Sequence, residues 1–326
     1  MDHKHYYKKI NKLDKGIINY ANLIDGLFLH QKKELDLEKL KLFSKKPEFG
    51  IPILFKKKSF FLEKNVGKEY NVSKIFLLKN IFRTKKENYK PFLNLFNNNN
   101  KFTDTVIIKK EYIKQINFIN YFNIRAKKKI LKIHQKFNKV CAFQTRNIPH
   151  FGHEKILSYL LKKYDHVVVN PIIGPKKRGD IDYNLLEKIY SFLIKKKFGK
   201  NVSYIPFIAN MFYAGPLEAI HHANMRFKLG FKYFIIGRDH AGSDKCYNPL
   251  SAYKLVKKLE NKIKINIDTI QGAYHCKICK KVVLKNDCKH KNLENISGTK
   301  FRKFLFGKKY FKYADKDLQR FVKKIV

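Results

Sequence analysis

The sequence lacks a long uncharged apolar run. Its longest stretch without Lys or Arg, residues 201–225, contains two prolines, Glu218 and two histidines, so it would not be stable in the hydrocarbon core of a bilayer. The amino-terminal residues have neither the apolar core nor the small-residue cleavage site that a secretory leader needs. These absences predict a protein without a membrane span and with a cytoplasmic location.

Cysteine is also scarce. There are five cysteines in 326 residues, and three of them lie between Cys276 and Cys288. Such a cluster suits a reduced compartment and a bound metal better than a disulfide framework. We therefore expect a metal site in this segment.

Acidic residues are few: 26 Asp and Glu face 71 Lys and Arg, which gives a net charge of +45. A charge of this size is typical of proteins that bind nucleic acid or anionic membranes. However, only eight of the basic residues are Arg, and the many lysines accompany abundant Asn, Ile, Phe and Tyr, as an AT-biased coding sequence would produce. No specific nucleic-acid partner is expected, although polyanions should bind non-specifically at low salt.

Glycine and proline are rarer before residue 135, with four Gly and three Pro, than after it, with eleven Gly and six Pro. In the second part, short apolar runs alternate with amphipathic segments. The predicted elements are strand 139–145, helix 152–164, strand 166–173, helix 182–197, strand 202–208, helix 216–229, strand 233–238, helix 249–259 and strand 263–270. This alternation predicts a Rossmann-like, doubly wound parallel sheet that binds ligands beyond the carboxyl ends of its strands.

The first part, residues 1–135, is less regular. Segments 50–55, 59–62 and 74–78 are predicted strands and 34–42 a predicted helix, which indicates a small mixed α/β or mostly β domain. The catalytic domain is predicted over residues 136–305. A short helical segment, 306–326, follows it.

In a chain whose basic residues are mostly Lys, Arg occurs at only a few positions in the second part. Four of these arginines lie at strand ends, in loops or beside Gly. The group comprises Arg146, Arg178, Arg226, Arg238 and Arg302. Since a planar guanidinium can bind an oxyanion at two points and an ammonium cannot, these positions are expected to hold anions. Arg226 is the exception, because on a helix it is expected to cap or solvate that helix.

A candidate phosphate site follows the first strand of the second part. Here His150-Phe151-Gly152-His153 opens a helix, where free amides and the helix dipole favour negative charge. The pattern His-x-Gly-His is shared by nucleotidylyl transferases, in which the two imidazoles donate to phosphates. A second segment, Ser297-Gly298-Thr299 with Arg302, resembles the Ile-Ser-x-Thr-x-x-Arg element of the same superfamily.

Four motifs make the resemblance more specific. They occur in the order Gln144-Thr145-Arg146-Asn147, residues 174–180, Tyr213-Ala214-Gly215-Pro216 and residues 237–242. Together they resemble the ATP sulfurylase family over about residues 138–305. Residues 24–28 and 49–53 extend the resemblance faintly, which implies a divergent PUA-like domain over 1–135. The resemblance is to the single-function form, without an adenylyl-sulfate kinase domain.

The resemblance implies the reaction of ATP with sulfate to give adenylyl sulfate and pyrophosphate, by in-line attack of sulfate on the α-phosphorus. Sulfate already carries two negative charges, so the site has to neutralise and orient it rather than remove a proton. Mg²⁺ would accompany ATP or pyrophosphate. A homodimer is the implied assembly.

The family also implies roles for individual residues of this chain. Gln144, Arg146 and Ala241 would hold sulfate, while Thr145 and Asn147 would orient the α-phosphate. His150 and His153 would bind the β- and γ-phosphates. The nucleotide would contact Gly237, Arg238, Asp239 and His240, and Ser297 and Thr299 would bind phosphate at the second helix start.

The sequence departs from the family pattern near these motifs. In Asn147-Ile148-Pro149-His150-Phe151 the proline is displaced and an arginine is lost, and Phe212 and Leu217 replace arginines found in many members. Residues 243–245 also differ from the usual pattern. These changes bear on substrate affinity more than on reaction type.

The segment 274–292 contains Cys276-x2-Cys279-x8-Cys288-x-His290, the spacing of a structural tetrahedral Zn²⁺ site. His275 competes with His290 as the fourth ligand. Some ATP sulfurylases have a similar element, and the metal would brace the loop that leads to Ser297.

Three alternatives stay open at this point. Another His-x-Gly-His nucleotidylyl transferase would share the His pair but act on a different acceptor. An RNA-binding protein would not need the His pair, and an inactive relative would not need the arginines.

Overall fold

The computed structural model describes residues 9–10, 12–55, 69–72, 76, 101–103, 106, 108–175, 181–238, 240, 247–285, 287–307 and 309–326. Strands in this part are β1 (Glu69–Asn71), β2 (Lys101–Thr103), β3 (Val140–Phe143), β4 (His166–Val169), β5 (Ile172–Ile173), β6 (Val202–Tyr204), β7 (Phe207–Ile208), β8 (Tyr233–Gly237), β9 (Asn266–Ile270), β10 (Ala273–Cys276), β11 (Lys281–Leu284) and β12 (Leu293–Asn295). The α-helices are α1 (Lys15–Ile24), α2 (Leu37–Lys45), α3 (Ile113–His134), α4 (Phe151–Leu160), α5 (Tyr183–Leu193), α6 (Pro216–Leu229), α7 (Ser251–Leu259), α8 (Gly298–Leu305) and α9 (Lys316–Ile325).

A parallel five-stranded sheet, in the order β6-β4-β3-β8-β9, forms the centre of the second part. Successive side chains of its strands enter different cores. Cys141 and Phe143 pack with helices α4 and α5, whereas Val140 and Ala142 pack with α6 and α7 on the opposite face. A sheet buried on both faces confirms the predicted doubly wound, Rossmann-like architecture.

Two of the predicted strands are each divided into two. Segment 166–173 forms β4 and β5, and segment 202–208 forms β6 and β7, with β5 and β7 paired in a separate parallel ribbon. The breaks contain Pro171 and Pro206, which have no amide proton to give to a sheet. After these two breaks, β5 and β7 leave the five-stranded sheet and pair with each other.

The described residues before position 135 form three α-helices and the antiparallel pair β1–β2, which is a mixed α/β arrangement. Helix α2 overlaps the predicted helix 34–42 but is shifted by three residues, because the Asp36 side chain accepts from the Lys39 amide and caps its start. The amides of Asn22 and Asn123 donate to the Ile208 carbonyl at 3.1 and 2.9 Å, so α1 and α3 pack onto β7. The PUA-like assignment and the domain boundaries stay predictions.

The predicted strand over 50–55 is wrong. These residues are irregular apart from a single bridge between Phe55 and Thr103. Gly50 has a positive φ of 82°, and the Gln31 side chain bonds both the amide and the carbonyl of Ile53 at 2.8 Å, in place of a neighbouring strand. The segment 59–62 lies outside the described residues, as does 74–78 except for Phe76.

Arg226 corrects another expectation. It does not solvate its helix, since it is fully buried between the rings of Phe207 and Phe234. Its Nε and Nη2 donate to the side chain and the carbonyl of Asn170 at 3.1 and 2.8 Å. Arg226 therefore ties α6 to the end of β4.

Among the described helices, none combines the length and the apolarity needed to cross a bilayer.

Candidate functional site

A pocket of about 510 Å³ opens beyond the carboxyl ends of β3 and β8. Ten of the predicted site residues line it, and they come from three separate segments of the chain. They are Gln144, Thr145, Arg146, Asn147, His150, His153, Gly237, Arg238, His240 and Ser297. The structure therefore brings most of the predicted site together at the edge of the sheet where doubly wound folds bind ligands.

The backbone fixes the protonation of the two histidines at the start of α4. The Gly152 amide donates to His150 Nδ1 at 3.1 Å, and the His150 amide donates to His153 Nδ1 at 3.3 Å. Burial lowers the pKa of His150 to about 4, and burial together with His150 lowers the pKa of His153 well below its ordinary value. Each neutral ring therefore keeps its proton on Nε2 and is a hydrogen-bond donor at that atom.

Hydrogen bonds from buried residues fix the loop after β3. The Asn147 amide donates to Thr145 Oγ1 at 3.2 Å, and the Tyr190 hydroxyl donates to the Asn147 carbonyl at 3.3 Å. Thr145 and Tyr190 are both buried. This leaves the Asn147 side chain on the pocket wall.

Arg146 lines the same pocket as the helix start. Its guanidinium carbon is 4.9 Å from the centre of the Tyr213 ring, a cation–π distance. Gln144 extends beside it and donates to the Met211 sulfur at 3.4 Å. An arginine that lines a pocket and is supported on an aromatic face is suited to bind an oxyanion.

A second helix start contributes to the same pocket. The Ser297 hydroxyl accepts from the Lys300 amide at 3.2 Å and so caps α8. A Cβ added to Gly298 would lie 3.6 Å from Asn147 Cγ, so the start of α8 approaches the loop that precedes α4. The side chain of Thr299 lies outside the described part.

The β8 end supplies Arg238, whose guanidinium carbon is 5.5 Å from the centre of the Tyr274 ring. His240 lies nearby, and its Nε2 is 3.0 Å from Nδ1 of His222. Asp239, Ala241 and Arg178 fall outside the described residues, so their predicted roles stay predictions. Arg302 is not among the residues that line the pocket.

Sequence reasoning missed several residues of this site. Met211 lines the pocket, and Tyr190 and Tyr213 support its loops. Glu218 and His222, both fully buried on α6, approach the pocket through His240. The only sequence signal for them was their position just after the Tyr213–Pro216 motif.

A metal-ligand cluster lies beside the pocket. The four ligand atoms of Cys276, Cys279, Cys288 and His290 lie within 4.8 Å of one another. Cys276 Sγ and Cys279 Sγ are each 3.6 Å from Cys288 Sγ, and His290 Nδ1 is 3.2–3.6 Å from the three sulfurs. A tetrahedral Zn²⁺ with bonds of about 2.3 Å separates its sulfur ligands by about 3.8 Å, so the cluster is compatible with structural zinc.

His290 is the fourth member of this cluster. His275 is not part of the cluster, and its ring packs at a tilt of 38° against the ring of Tyr313, with ring centres 4.8 Å apart. The cluster supports the pocket wall through β10, where Cys276 pairs with Leu293 of β12, two residues before Asn295 at the pocket. A salt bridge of 3.1 Å between Lys155 and Asp287 ties it to α4.

Comparisons with known proteins agree with this geometry. A family model described as ATP-sulfurylase matches residues 123–309. The sulfate adenylyltransferase of Pyrococcus abyssi is 41% identical over 169 residues, covering 51% of this chain and 44% of that protein. That of Thermococcus onnurineus is 36% identical over 191 residues, covering 58% and 50%. The matches thus span about half the length of these curated relatives.

A solved structure titled as a hexameric APS kinase from Thiobacillus denitrificans has a TM-score of 0.62 with this chain. It is 12% identical, and the alignment covers 98% of this chain and 64% of that one. At this identity the likeness concerns the fold alone.

Proposed function

Since the chain belongs to the ATP-sulfurylase family, we propose that it is a sulfate adenylyltransferase that converts ATP and sulfate into adenylyl sulfate and pyrophosphate. The observation that carries this proposal is the pocket itself, which the starts of α4 and α8 line together with Arg146 and Gln144. Helix starts and neutral imidazole donors suit polyphosphate, and the supported guanidinium suits a second, separate oxyanion.

In the proposed reaction Arg146 and Gln144 hold sulfate in line with the α-phosphorus. Thr145 and Asn147 orient the α-phosphate, while His150 and His153 donate from Nε2 to the departing pyrophosphate. Attack by a sulfate oxygen forms the new S–O–P bond as the bond from the α-phosphorus to the bridging oxygen breaks. Most of the catalysis comes from alignment and from fixed donors placed where negative charge accumulates.

Two ions belong to the proposal. Cys276, Cys279, Cys288 and His290 would hold Zn²⁺, which would brace the wall that carries Ser297. Mg²⁺ would arrive with ATP or pyrophosphate and neutralise phosphate charge. The homodimer and the cytoplasmic location that the sequence predicts are part of the same proposal.

The test follows ATP formation from adenylyl sulfate and pyrophosphate with Mg²⁺, at a salt concentration that suppresses polyanion binding. Arg146→Ala should reduce kcat/KM by about two orders of magnitude or more, because it removes a fixed donor to the oxyanion. Arg125→Ala is the matched control, since Arg125 is exposed on α3 and contacts Tyr121 away from the pocket.

Equal activity of the Arg146 and Arg125 variants would contradict the sulfate role of Arg146. A folded wild-type protein that forms no ATP, but exchanges pyrophosphate with ATP when given another acceptor, would point to a different nucleotidylyl transferase.

A further inference from the structure

Glu218 is a fully buried carboxylate close to, but outside, the pocket. Its two oxygens accept from the amides of Phe212 and Ala214 at 2.8 and 2.6 Å. The positive charges of Arg146 and Arg226 also act on this carboxylate electrostatically. A buried carboxylate is costly unless it is hydrogen-bonded and its charge is compensated, so the partners of Glu218 indicate what it does.

The two amides that Glu218 binds flank Tyr213. This residue has a positive φ of 58°, and Gly215 follows with a φ of 59°, so the loop holds a conformation that it would not adopt unaided. Tyr213 is the aromatic surface beneath Arg146. The Glu218 carboxylate thus holds the support of the arginine assigned to sulfate.

The same carboxylate also faces a histidine chain that leads to the pocket. Glu218 Oε1 is 3.2 Å from His222 Nε2, at ion-pair distance, and His222 Nδ1 is 3.0 Å from His240 Nε2. His222 Nε2 makes no hydrogen bond of good geometry among the described residues. A carboxylate oxygen at this distance nevertheless favours a proton on that nitrogen electrostatically, and Nδ1 of His222 would then accept the Nε2 proton of His240. His240 then carries a lone pair on Nδ1, its one ring nitrogen without a partner among the described residues.

We propose that Glu218 is a positioning residue for both halves of the pocket: it holds Tyr213 beneath Arg146, and through His222 it makes His240 Nδ1 a hydrogen-bond acceptor. An acceptor at this place would receive a hydroxyl or amino group of the nucleoside rather than a phosphate. This inference deepens the proposed function and rests on it.

The first experiment reads the tautomers directly in the wild-type protein. Burial raises the pKa of Glu218 to about 7, so the measurement is made at pH 8, where the carboxylate is ionised. Nitrogen-15 NMR of histidine-labelled protein should show His222 and His240 both protonated on Nε2. A proton on Nδ1 of His240 would overturn the inference, whether or not any variant folds.

The second experiment separates the two halves by kinetics at pH 8. Glu218→Gln places an amide NH2 against a backbone N–H and should raise the KM for sulfate and for ATP by about tenfold each. His222→Leu removes only the histidine chain and should raise the KM for ATP by about tenfold while that for sulfate changes less than about twofold. Asp268→Asn, a carboxylate change at Lys163 and Tyr164, is the control and should alter neither KM.

Unchanged KM values in Glu218→Gln, with kcat lowered only as far as the folded fraction is lowered, would assign Glu218 a purely structural role and overturn the inference. An inactive but folded wild type would instead refute the proposed function, and the NMR result would then stand by itself.

Discussion

Single residues of the pocket owe their chemistry to the backbone. His150 and His153 receive amide protons on Nδ1, which leaves Nε2 as the donor of each ring. Gly152 is the residue that makes this possible, because a Cβ there would lie 2.8 Å from Cε1 of His150 and 2.9 Å from its Nδ1. The motif therefore requires glycine between the two histidines for steric reasons.

Gly152→Ala tests this requirement. The added methyl group should turn the His150 ring away from its amide, and kcat/KM for ATP formation should fall by about tenfold or more. Stability should change little, since Ala is a good helix residue, so the melting temperature should stay within about 3 °C of wild type. An unchanged kcat/KM in the folded variant would show that the position of His150 does not matter for the reaction.

Among secondary-structure elements, β10, β11 and β12 connect the metal-ligand cluster to the pocket. The hairpin packs on α4, and β12 leads directly to Ser297. Binding of a structural metal should therefore stabilise the pocket wall without taking part in the reaction.

Cys279→Ser is the corresponding test. We expect it to lower the bound zinc to well below one ion per chain and to reduce ATP formation by about tenfold or more, because both helix starts lose support. Elemental analysis and the activity assay check the two effects together. Cys141→Ala is the control, because Cys141 is buried in β3 and should leave the zinc content unchanged; equal zinc loss in both variants would contradict the assignment.

The sequence predicted elements well where local signals marked both ends. Helix α6 runs over the predicted residues because Pro216 opens it and Gly230, with φ of 103°, ends it. Residues 50–55 do not form the predicted strand, because the Gln31 side chain, which lies far from them in sequence, takes the place of a neighbouring strand. Glu218 and Arg226 are buried because several elements pack around α6. The residue pattern of that helix alone does not reveal this packing.

For the molecule as a whole, buried neutral histidines govern acid stability. Burial lowers the pKa of His150 and His166 to about 4 and that of His221 to about 3. The stability that these rings contribute is therefore complete above pH 6.5 and is lost as the pH falls toward 4. Glu218, with its pKa raised to about 7, acts in the opposite sense, since its contribution is lost as the pH rises from 4.5 through 7.

Three histidines outweigh one carboxyl group, so the melting temperature should fall steadily between pH 6.5 and 4.5. Scanning calorimetry checks this, with His166→Gln as a partial control. His166 lies outside the pocket, and its loss should remove up to about 3 kcal/mol of the pH dependence. A melting temperature that is constant over this range would show that the rings are hydrated or already charged.

The one-directional donation by His150 and His153 has a consequence for the reverse reaction. A ring whose Nδ1 is occupied by an amide and whose Nε2 carries a proton has no free lone pair, so neither histidine can receive a proton from either set of substrates. In the proposed reaction, the forward and reverse directions would then use the same hydrogen bonds from His150 and His153. Neither histidine would change its protonation state between turnovers. The concentrations of the four small molecules would then decide which way the enzyme runs.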